Sequence, residues 1–199
     1  MRFVIGLMMC ASGWTAAQNY PLKPVRLLVG FAPGSTTDII ARTYGYKLSE
    51  SLGQQMVIEN RPGAGANIAA ELVAKSASEG YTLLVGSPGL AVSPALYTRL
   101  GYDALKDHTP VGQVSATPHM LVVNPALPVK TLRDFINLAR GKPGEISYSS
   151  AGAGGSDHLG TELFSAMAGL KMVHVPYKGG PQAIGDVVSG QVVMCAHWA

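Results

Sequence analysis

The first hundred residues repeat one unit, a short apolar strand followed by a glycine-rich turn and a helix, and this repeat limits the possible fold more than any other feature. Strand patterns occupy residues 25–29, 56–59 and 81–86, and helical patterns occupy residues 39–52 and 68–77. Such alternation predicts a parallel sheet covered by helices. Ligands of such sheets bind beyond the carboxyl ends of the strands, where the turns gather.

The turn after the first strand, residues 31–38, combines Pro33 and Gly34 with three hydroxyl residues and leads directly into a helix. The start of a helix carries unpaired N–H groups and a partial positive charge, which suit an anion. Glycine lets the backbone approach a ligand closely, and the hydroxyls add donors. The same residue types also form ordinary turns and helix caps. The stretch alone supports either interpretation.

The second half of the sequence repeats the alternation. It predicts strands at 111–114, 118–125, 146–150, 172–177 and from 192, and helices at 131–140, 157–168 and 182–189. Thr131 is expected to cap its helix, with Asp134 in the first turn. A second glycine-rich turn, residues 151–156, also precedes a helix. We therefore expect one α/β domain over residues 18–116 and a second over residues 117–199.

The first residues differ from this pattern. Arg2, an apolar run at 3–9 and small residues at 15–17 predict a secretory signal peptide over residues 1–17, too short to span a bilayer. Cys10 leaves lipid attachment as an alternative, although Met9 fits poorly before a lipidated cysteine. Without this leader only Cys195 remains, which excludes an internal disulfide and a cysteine metal site.

The charge and the candidate chemistry narrow the function further. A formal net charge of +3 argues against nucleic acid as a partner. The five histidines have no ligand spacing, so neither a metal nor another cofactor is expected. Ser156, Asp157 and His158 are the residue types of a nucleophilic triad, but neighbours at a helix start point in different directions. An exported α/β hydrolase using Ser156 and His158 remains the alternative function. His158 could also hydrogen-bond a carboxylate or simply lock the turn.

Six runs of the sequence together resemble one family. They are Tyr20-Pro21 with Lys23-Pro24, Phe31-Ala32-Pro33-Gly34 with Asp38, Glu59-Asn60-Arg61-Pro62-Gly63-Ala64-Gly65, Gly80-Tyr81-Thr82-Leu83-Leu84, Ser150-Ala151-Gly152 with His158-Leu159, and His174-Val175-Pro176-Tyr177-Lys178-Gly179. In this order, from about residue 20 to 194, they resemble the Bug receptors, the extracytoplasmic solute-binding subunits of tripartite tricarboxylate transporters.

The resemblance implies a periplasmic binding protein-like fold, with two α/β domains, a hinge and a cleft that closes on a small carboxylate. It implies a monomeric periplasmic receptor rather than an enzyme, serving transport or sensing, with membrane transporter subunits as partners. It also implies which residues bind the ligand. These are Phe31, Ala32, Gly34, Ser35, Thr36 and Asp38 in the first turn, Ala153, Gly154, Gly155, Ser156 and His158 in the second, and Ser87 after the third strand. The run at 61–65 is expected to be a structural turn.

Two departures from the family pattern stand out. Ser35 occupies a position where the family often has a second glycine, and it still supplies an N–H group and a hydroxyl. The sequence also diverges after Met194, whereas family members continue well beyond this point. We therefore expect a C-terminally truncated member, with an incomplete second domain and without the return to the first. A nonfunctional remnant of the family is the further alternative.

Overall fold

Strands and helices alternate throughout residues 20–116 and 118–198, the part of the chain that the computed structural model describes. In chain order the elements are β1 (Val25–Val29), α1 (Thr36–Leu52), β2 (Met56–Asn60), a short 3-10 helix (Ala64–Ala66), α2 (Asn67–Ala74), β3 (Thr82–Val85), α3 (Gly89–Leu96), β4 (His119–Val123), α4 (Leu132–Gly141), β5 (Ser147–Ser150), α5 (Ser156–Ala168), β6 (Val173–Pro176), α6 (Gly180–Val188) and β7 (Met194–Trp198). The predicted signal peptide lies outside the described residues.

Sheet 1 is the parallel sheet that the repeat predicts. Its strand order is β2-β1-β3, and β1 pairs in parallel with both neighbours. Four of the five residues of the central strand β1 are buried, as expected where helices cover both faces. Phe31, just beyond β1, packs with Val29 and with Ala41 of α1. This contact fixes the turn after β1 to the end of the sheet.

Sheet 2 is mixed, with the strand order β4-β7-β5-β6. The last strand, β7, lies between β4, which is antiparallel to it, and β5, which is parallel. Alternate residues of a strand face opposite sides of the sheet. Accordingly Met194 packs with Tyr148 and Phe135 on the α4 and α5 side, whereas Cys195 packs with Val187 of α6.

The helix ends confirm the capping signals of the sequence. The side chain of Ser35 accepts the N–H of Asp38 at the start of α1, and Gly53 ends this helix with a left-handed φ of 68°. At α4 the Thr131 side chain and Asp134 form a reciprocal capping box. These caps depend only on residues within four positions, which explains why the sequence predicts them correctly.

One predicted strand is wrong, and one helix was not predicted. Residues 111–114 form no strand; this stretch is irregular, and Val111 is 88% exposed. An apolar pattern this short becomes a strand only where a neighbouring strand pairs with it, and within the described residues none does. Residues 89–96 form helix α3, for which the sequence analysis predicts no element. No helix in the described ranges is both long and apolar enough to cross a bilayer.

Candidate functional site

A cleft opens where the carboxyl ends of the strands in sheets 1 and 2 face each other. Its walls are Phe31, Ser35, Thr36, Thr37, Ser87, Ala151, Ser156, Asp157, Gly180 and His197. The cleft measures about 330 Å³ when the space open to solvent is included. The position agrees with the rule that ligands of α/β sheets bind at the carboxyl ends of the strands.

The starts of four helices converge on this cleft. Thr36 and Thr37 begin α1, Ser156 begins α5 and Gly180 begins α6, while Ser87 lies just before α3. Helix starts present unpaired N–H groups and partial positive charge. Among the described residues that line the cleft, none is a lysine or an arginine. The lining does include the Asp157 carboxylate, which accepts the Ala151 N–H, so the helix starts are the main source of positive charge in the cleft.

We call residues 31–38 turn 1, and its shape depends on Asp38. The Asp38 carboxylate accepts the N–H of Gly34 at 2.9 Å and Nδ2 of Asn60 at 2.8 Å. It also pairs with Arg42, with Nε–Oδ2 at 3.0 Å and Nη2–Oδ1 at 2.9 Å. Asn60 in addition donates to the Phe31 carbonyl at 3.0 Å. Asp38 is thus fully engaged inside the protein and shapes the turn.

The ionisation of Asp38 follows from these contacts. Burial alone would raise its pKa, but the hydrogen bonds from Arg42, Gly34 and Asn60 outweigh burial and lower the pKa below its ordinary value. Asp38 is therefore a carboxylate at neutral pH.

Turn 1 contains two N–H groups that precede the first intrahelical bond of α1. The N–H of Asp38 binds the Ser35 hydroxyl at 3.3 Å, and the first intrahelical bond joins the Ile39 N–H to the Ser35 carbonyl at 2.9 Å. The N–H groups of Thr36 and Thr37 precede that bond, and both residues line the cleft. These are the groups of turn 1 best placed to bind an anion.

Residues 151–158 form turn 2, which resembles turn 1 in its hydrogen bonds. The N–H of Gly154 donates to Nδ1 of His158 at 3.1 Å, and the N–H of Ala151 donates to the Asp157 carboxylate at 2.5 Å. The first intrahelical bond of α5 joins the Leu159 N–H to the Gly155 carbonyl. Ser156, which precedes it, lines the cleft. The hydrogen bond fixes Nδ1 of His158 as an acceptor, so His158 locks the turn.

An aromatic stack of His158, His174 and Tyr148 packs against turn 2. His158 stacks on His174 with ring centroids 4.0 Å apart, and His174 stacks on Tyr148 at 4.9 Å. Nε2 of His174 lies 2.7 Å from the hydroxyl of Ser150. Burial, together with the neighbouring His158, lowers the pKa of His174 to about 4. His174 is therefore neutral at physiological pH.

The two turns contact the opposite half of the molecule directly. Tyr97 donates its hydroxyl to the Ala153 carbonyl at 2.8 Å, and the N–H of Ala32 donates to the Lys178 carbonyl at 3.2 Å. Gly65 lies so close to turn 2 that a side chain there would collide with the Ala153 carbonyl. Through this contact, the run at 61–65 packs sheet 1 against turn 2.

The structure separates the residues expected at the site into two groups. Those that line the cleft are Phe31, Ser35, Thr36, Ser87 and Ser156. Those that stand outside its lining and build the turns are Ala32, Gly34, Asp38, Ala153, Gly154, Gly155 and His158. The other lining residues were not among those expected to bind the ligand; they are Thr37, Ala151, Asp157, Gly180 and His197. Contact of any of these residues with a ligand stays a prediction.

The Ser87 hydroxyl is the lining group that most clearly calls for a hydrogen-bond partner from a bound molecule. Its hydroxyl oxygen is buried, lines the cleft and has no hydrogen-bond partner in the part of the chain that the structure describes. Buried polar atoms in proteins nearly always have a partner, which can be a bound molecule.

The geometry gives no support to the hydrolase alternative. Nδ1 of His158 is occupied by the Gly154 N–H, and the ring stacks on His174. Because Nδ1 accepts this bond, the neutral ring carries its proton on Nε2, and neither nitrogen is available to take a proton from Ser156. Within the described residues, no group of three His, Cys, Asp or Glu side chains is arranged to bind a metal ion.

Comparisons with known proteins agree with this fold. The profile of the tripartite tricarboxylate transporter family receptor matches residues 40–198. A UPF0065 protein of a Pseudomonas species is 40% identical over 96% of this chain and 57% of its own length. The protein BugT of Bordetella pertussis is 39% identical over 95% of this chain and 60% of its own. The chain thus spans less than two thirds of these relatives.

Solved structures show the same likeness. Rpa4515 of R. palustris, solved with adipate, superposes with a TM-score of 0.87 at 40% identity, over 90% of this chain and 60% of that one. MatC of Rhodopseudomonas palustris, with bound malate, gives a TM-score of 0.85 at 32% identity, over 90% and 61%. The fold is therefore the α/β fold of periplasmic solute-binding receptors, and the chain belongs to the tripartite tricarboxylate transporter receptor family, a family of receptors rather than enzymes.

Proposed function

We propose that this protein is a periplasmic receptor that captures a small organic carboxylate in the cleft between turns 1 and 2. It delivers the ligand to a tripartite tricarboxylate-type transporter or takes part in sensing it. The observation that carries the proposal is the convergence of four helix starts on a cleft whose described lining contains no lysine or arginine. Such a site attracts a negative charge through N–H groups and hydroxyls.

The ligand carboxylate is placed between the starts of α1 and α5. The N–H groups of Thr36, Thr37 and Ser156 precede the intrahelical bonds of their helices, and their hydroxyls add further donors. A hydrogen bond to a charged group contributes about 1.5–3 kcal/mol. Three such bonds would together contribute roughly 4.5–9 kcal/mol toward binding, which offsets part of the cost of immobilising the ligand.

Three further observations support this assignment. The buried Ser87 hydroxyl lacks a partner within the described part of the chain, and a bound carboxylate would supply one. Rpa4515 was solved with adipate, and MatC with malate. The signal peptide predicted over residues 1–17 would export the chain to the periplasm.

The receptor works as a monomer of two α/β domains, residues 18–116 and 117–199, which close on the ligand. In closed form, contacts such as Tyr97 to Ala153 and Ala32 to Lys178 would join the two halves. A ligand that contacts both turns stabilises this form more than an open one, which is a population shift of the hinge type.

Removal of a single N–H group tests the proposal directly. Thr36 is the first residue of α1, where proline is tolerated, and Ser35 before it has φ −68° and ψ 157°, which proline also allows. Thr36→Pro therefore deletes one donor without breaking the helix. Thr36→Ala, which removes only the hydroxyl, is the matched control.

We expect calorimetry with adipate and malate to show binding to the unchanged protein. Thr36→Pro should weaken binding by about 10-fold or more, and more than Thr36→Ala does. Thermal unfolding of both variants checks that the fold is kept. Absence of binding by a folded, unchanged protein across a panel of carboxylates would overturn the proposal, as would equal affinities of Thr36→Pro and Thr36→Ala.

A further inference from the structure

The methyl group of Ala32 in turn 1 packs against Gly179, which precedes α6 in the other half of the molecule. A Cβ added to Gly179 would lie 2.8 Å from the Cβ of Ala32 and 3.3 Å from its backbone nitrogen. That nitrogen donates its N–H to the Lys178 carbonyl at 3.2 Å, so the two backbones already touch at this point. Gly179 is buried, and its backbone is extended, with φ 170° and ψ 162°. The approach of Ala32, rather than the local backbone, therefore leaves no room for a side chain at position 179.

Turn 2 makes a similar contact with the start of α3. A Cβ added to Gly89, the first residue of α3, would lie 2.8 Å from the carbonyl oxygen of Gly154. Its other close neighbour would be the Ser87 hydroxyl at 3.4 Å, an ordinary contact. Gly89 is buried and helical, and helices favour alanine over glycine, so it is the approach of turn 2 that excludes a side chain here. We call this pair, together with the pair of Ala32 and Gly179, the closing contacts.

The closing contacts stand beside the cleft without forming its walls. None of their four residues lines the cleft, although Phe31 before Ala32 and Gly180 after Gly179 both do. Each contact joins the half that contains sheet 1 to the half that contains sheet 2. Together they fix the distance between the helix starts on the two sides. Because these N–H groups belong to rigid backbone, they can bind one carboxylate together only when that distance is short enough.

We propose that the closing contacts set the width of the closed cleft, and that their residues control the affinity for the ligand without touching it. This inference rests on the proposed closure of the two halves on a carboxylate. An open form has room for an added methyl group at either contact, whereas the closed form does not. Overpacking a close contact destabilises the form that contains it. The apparent affinity then falls with the fraction of molecules that can close.

Moving one methyl group across the cleft tests this role. Gly179→Ala adds a Cβ that meets the Ala32 methyl, and calorimetry should show the binding of adipate and malate weakened about 10-fold. Ala32→Gly removes that methyl and should have the smaller effect on its own. The double variant, Ala32→Gly with Gly179→Ala, carries one methyl group on the other side of the contact and should recover most of the affinity. Residues that only stabilised their own turns would give additive losses instead.

Gly185→Ala is the matched control for an added methyl group. It lies in α6, and its new Cβ would meet nothing within 4 Å, so binding should stay unchanged. Thermal unfolding checks that each variant is folded. Gly89→Ala tests the second closing contact and should weaken binding by about the same factor as Gly179→Ala.

The outcomes separate this inference from the proposed function. Unchanged affinity of Gly179→Ala or Gly89→Ala would overturn the inference while carboxylate binding stands. Additive losses in the double variant would do the same, and so would an equal loss in Gly185→Ala. If the folded, unchanged protein bound no carboxylate of the panel, the proposed function itself would fail, and the role of the closing contacts with it.

Discussion

Turns 1 and 2 have the same backbone geometry but are stabilised by different side chains. In each, a glycine with positive φ, Gly34 at 80° and Gly154 at 82°, precedes an extended residue that begins a helix. In each, the third residue of that helix folds back and accepts the glycine N–H, through Asp38 at 2.9 Å and His158 at 3.1 Å. The repeated geometry directs both helix starts at the cleft.

The difference between them lies in what supports the accepting side chain. Asp38 is a buried carboxylate bound by Arg42 and Asn60, so charge holds turn 1. His158 is a ring stacked on His174, whose pKa is lowered to about 4, so neutral aromatic packing holds turn 2. Two halves that look alike from the cleft should therefore respond differently to mutation and to acid.

The largest expected difference comes from removal of the two accepting side chains. Asp38→Ala leaves Gly34, Asn60 and the guanidinium of Arg42 without their shared acceptor, and we expect it to lower the free energy of unfolding by about 3 kcal/mol. His158→Ala removes one hydrogen bond and part of a stack, for which we expect a loss of about 2 kcal/mol. Urea denaturation measures both values.

A conservative variant isolates the hydrogen bond in turn 2. In His158→Asn the side-chain oxygen can take the position of Nδ1 and accept the Gly154 N–H, although the stack on His174 is lost. It should recover about 1 kcal/mol relative to His158→Ala. If Asp38→Ala lowered the free energy of unfolding no more than His158→Ala, the ion pair of Asp38 with Arg42 would not stabilise turn 1 more than aromatic packing stabilises turn 2.

Much of each turn follows from its own short sequence, and this part was predictable. The turn glycines, the Ser35 cap and the position of each helix behind its strand all depend on neighbouring residues. The functions of Asp38 and His158 depend on partners elsewhere in the chain. Asn60 reaches Asp38 from the end of β2, and His174 reaches His158 from β6. A linear pattern does not contain those distances, which is why both residues were expected at the ligand.

The cleft lining shows the same limit. Gly180 and His197 line the cleft because β7 inserts between β4 and β5, antiparallel to β4, which places the strand end beside the start of α6. The strand–helix alternation predicts parallel neighbours and carries no signal for this insertion. The expected domain boundary between residues 116 and 117 falls between the two sheets, and it stays a prediction.

As the pH is lowered, sheet 2 should lose stability at a higher pH than sheet 1. The ordinary pKa of histidine is 6.5, whereas His174 in the folded protein binds a proton only near pH 4. Unfolding therefore takes up a proton between these values, so stability falls as the pH drops from about 6.5 to 4. His197, whose pKa burial also lowers, acts in the same direction. We expect a loss on the order of 2 kcal/mol over this window.

Sheet 1 has its acid response at lower pH. The hydrogen bond from Arg26 lowers the pKa of Glu59 from 4.5 to about 2, and the pKa of Asp38 is also lowered. The stability that these carboxylates contribute is present above their unfolded pKa values and is lost only as the pH falls below about 4.5.

Hydrogen exchange of β1 and β5 amides, corrected for the intrinsic effect of pH, compares the two sheets. At pH 5, β5 should lose protection and β1 should keep it. His174→Gln, which removes the titrating ring, should reduce the loss in β5. Equal loss of protection in β1 and β5 would contradict an acid response that begins in sheet 2.

The smallest expected difference concerns the two turn glycines. An alanine at Gly34 or Gly154 would hold a left-handed conformation, which costs about 1 kcal/mol. At Gly34 the new Cβ would have only Pro181 Cγ near it, at 3.6 Å, an ordinary contact. At Gly154 it would lie 3.2 Å from Leu96 Cδ1 and 3.3 Å from Tyr97 Cε2. Gly154→Ala should therefore be the more destabilising, by a few tenths of a kcal/mol up to about 1.

Gly53 provides the reference for conformational strain alone. It has a φ of 68° at the end of α1, and a Cβ added there meets nothing within 4 Å. Urea denaturation should rank Gly53→Ala and Gly34→Ala together and Gly154→Ala below them. Crowding of Tyr97 should also weaken its hydrogen bond to the Ala153 carbonyl, which joins turn 2 to sheet 1. If all three variants lost the same stability, the closer packing of turn 2 against α3 would contribute nothing measurable.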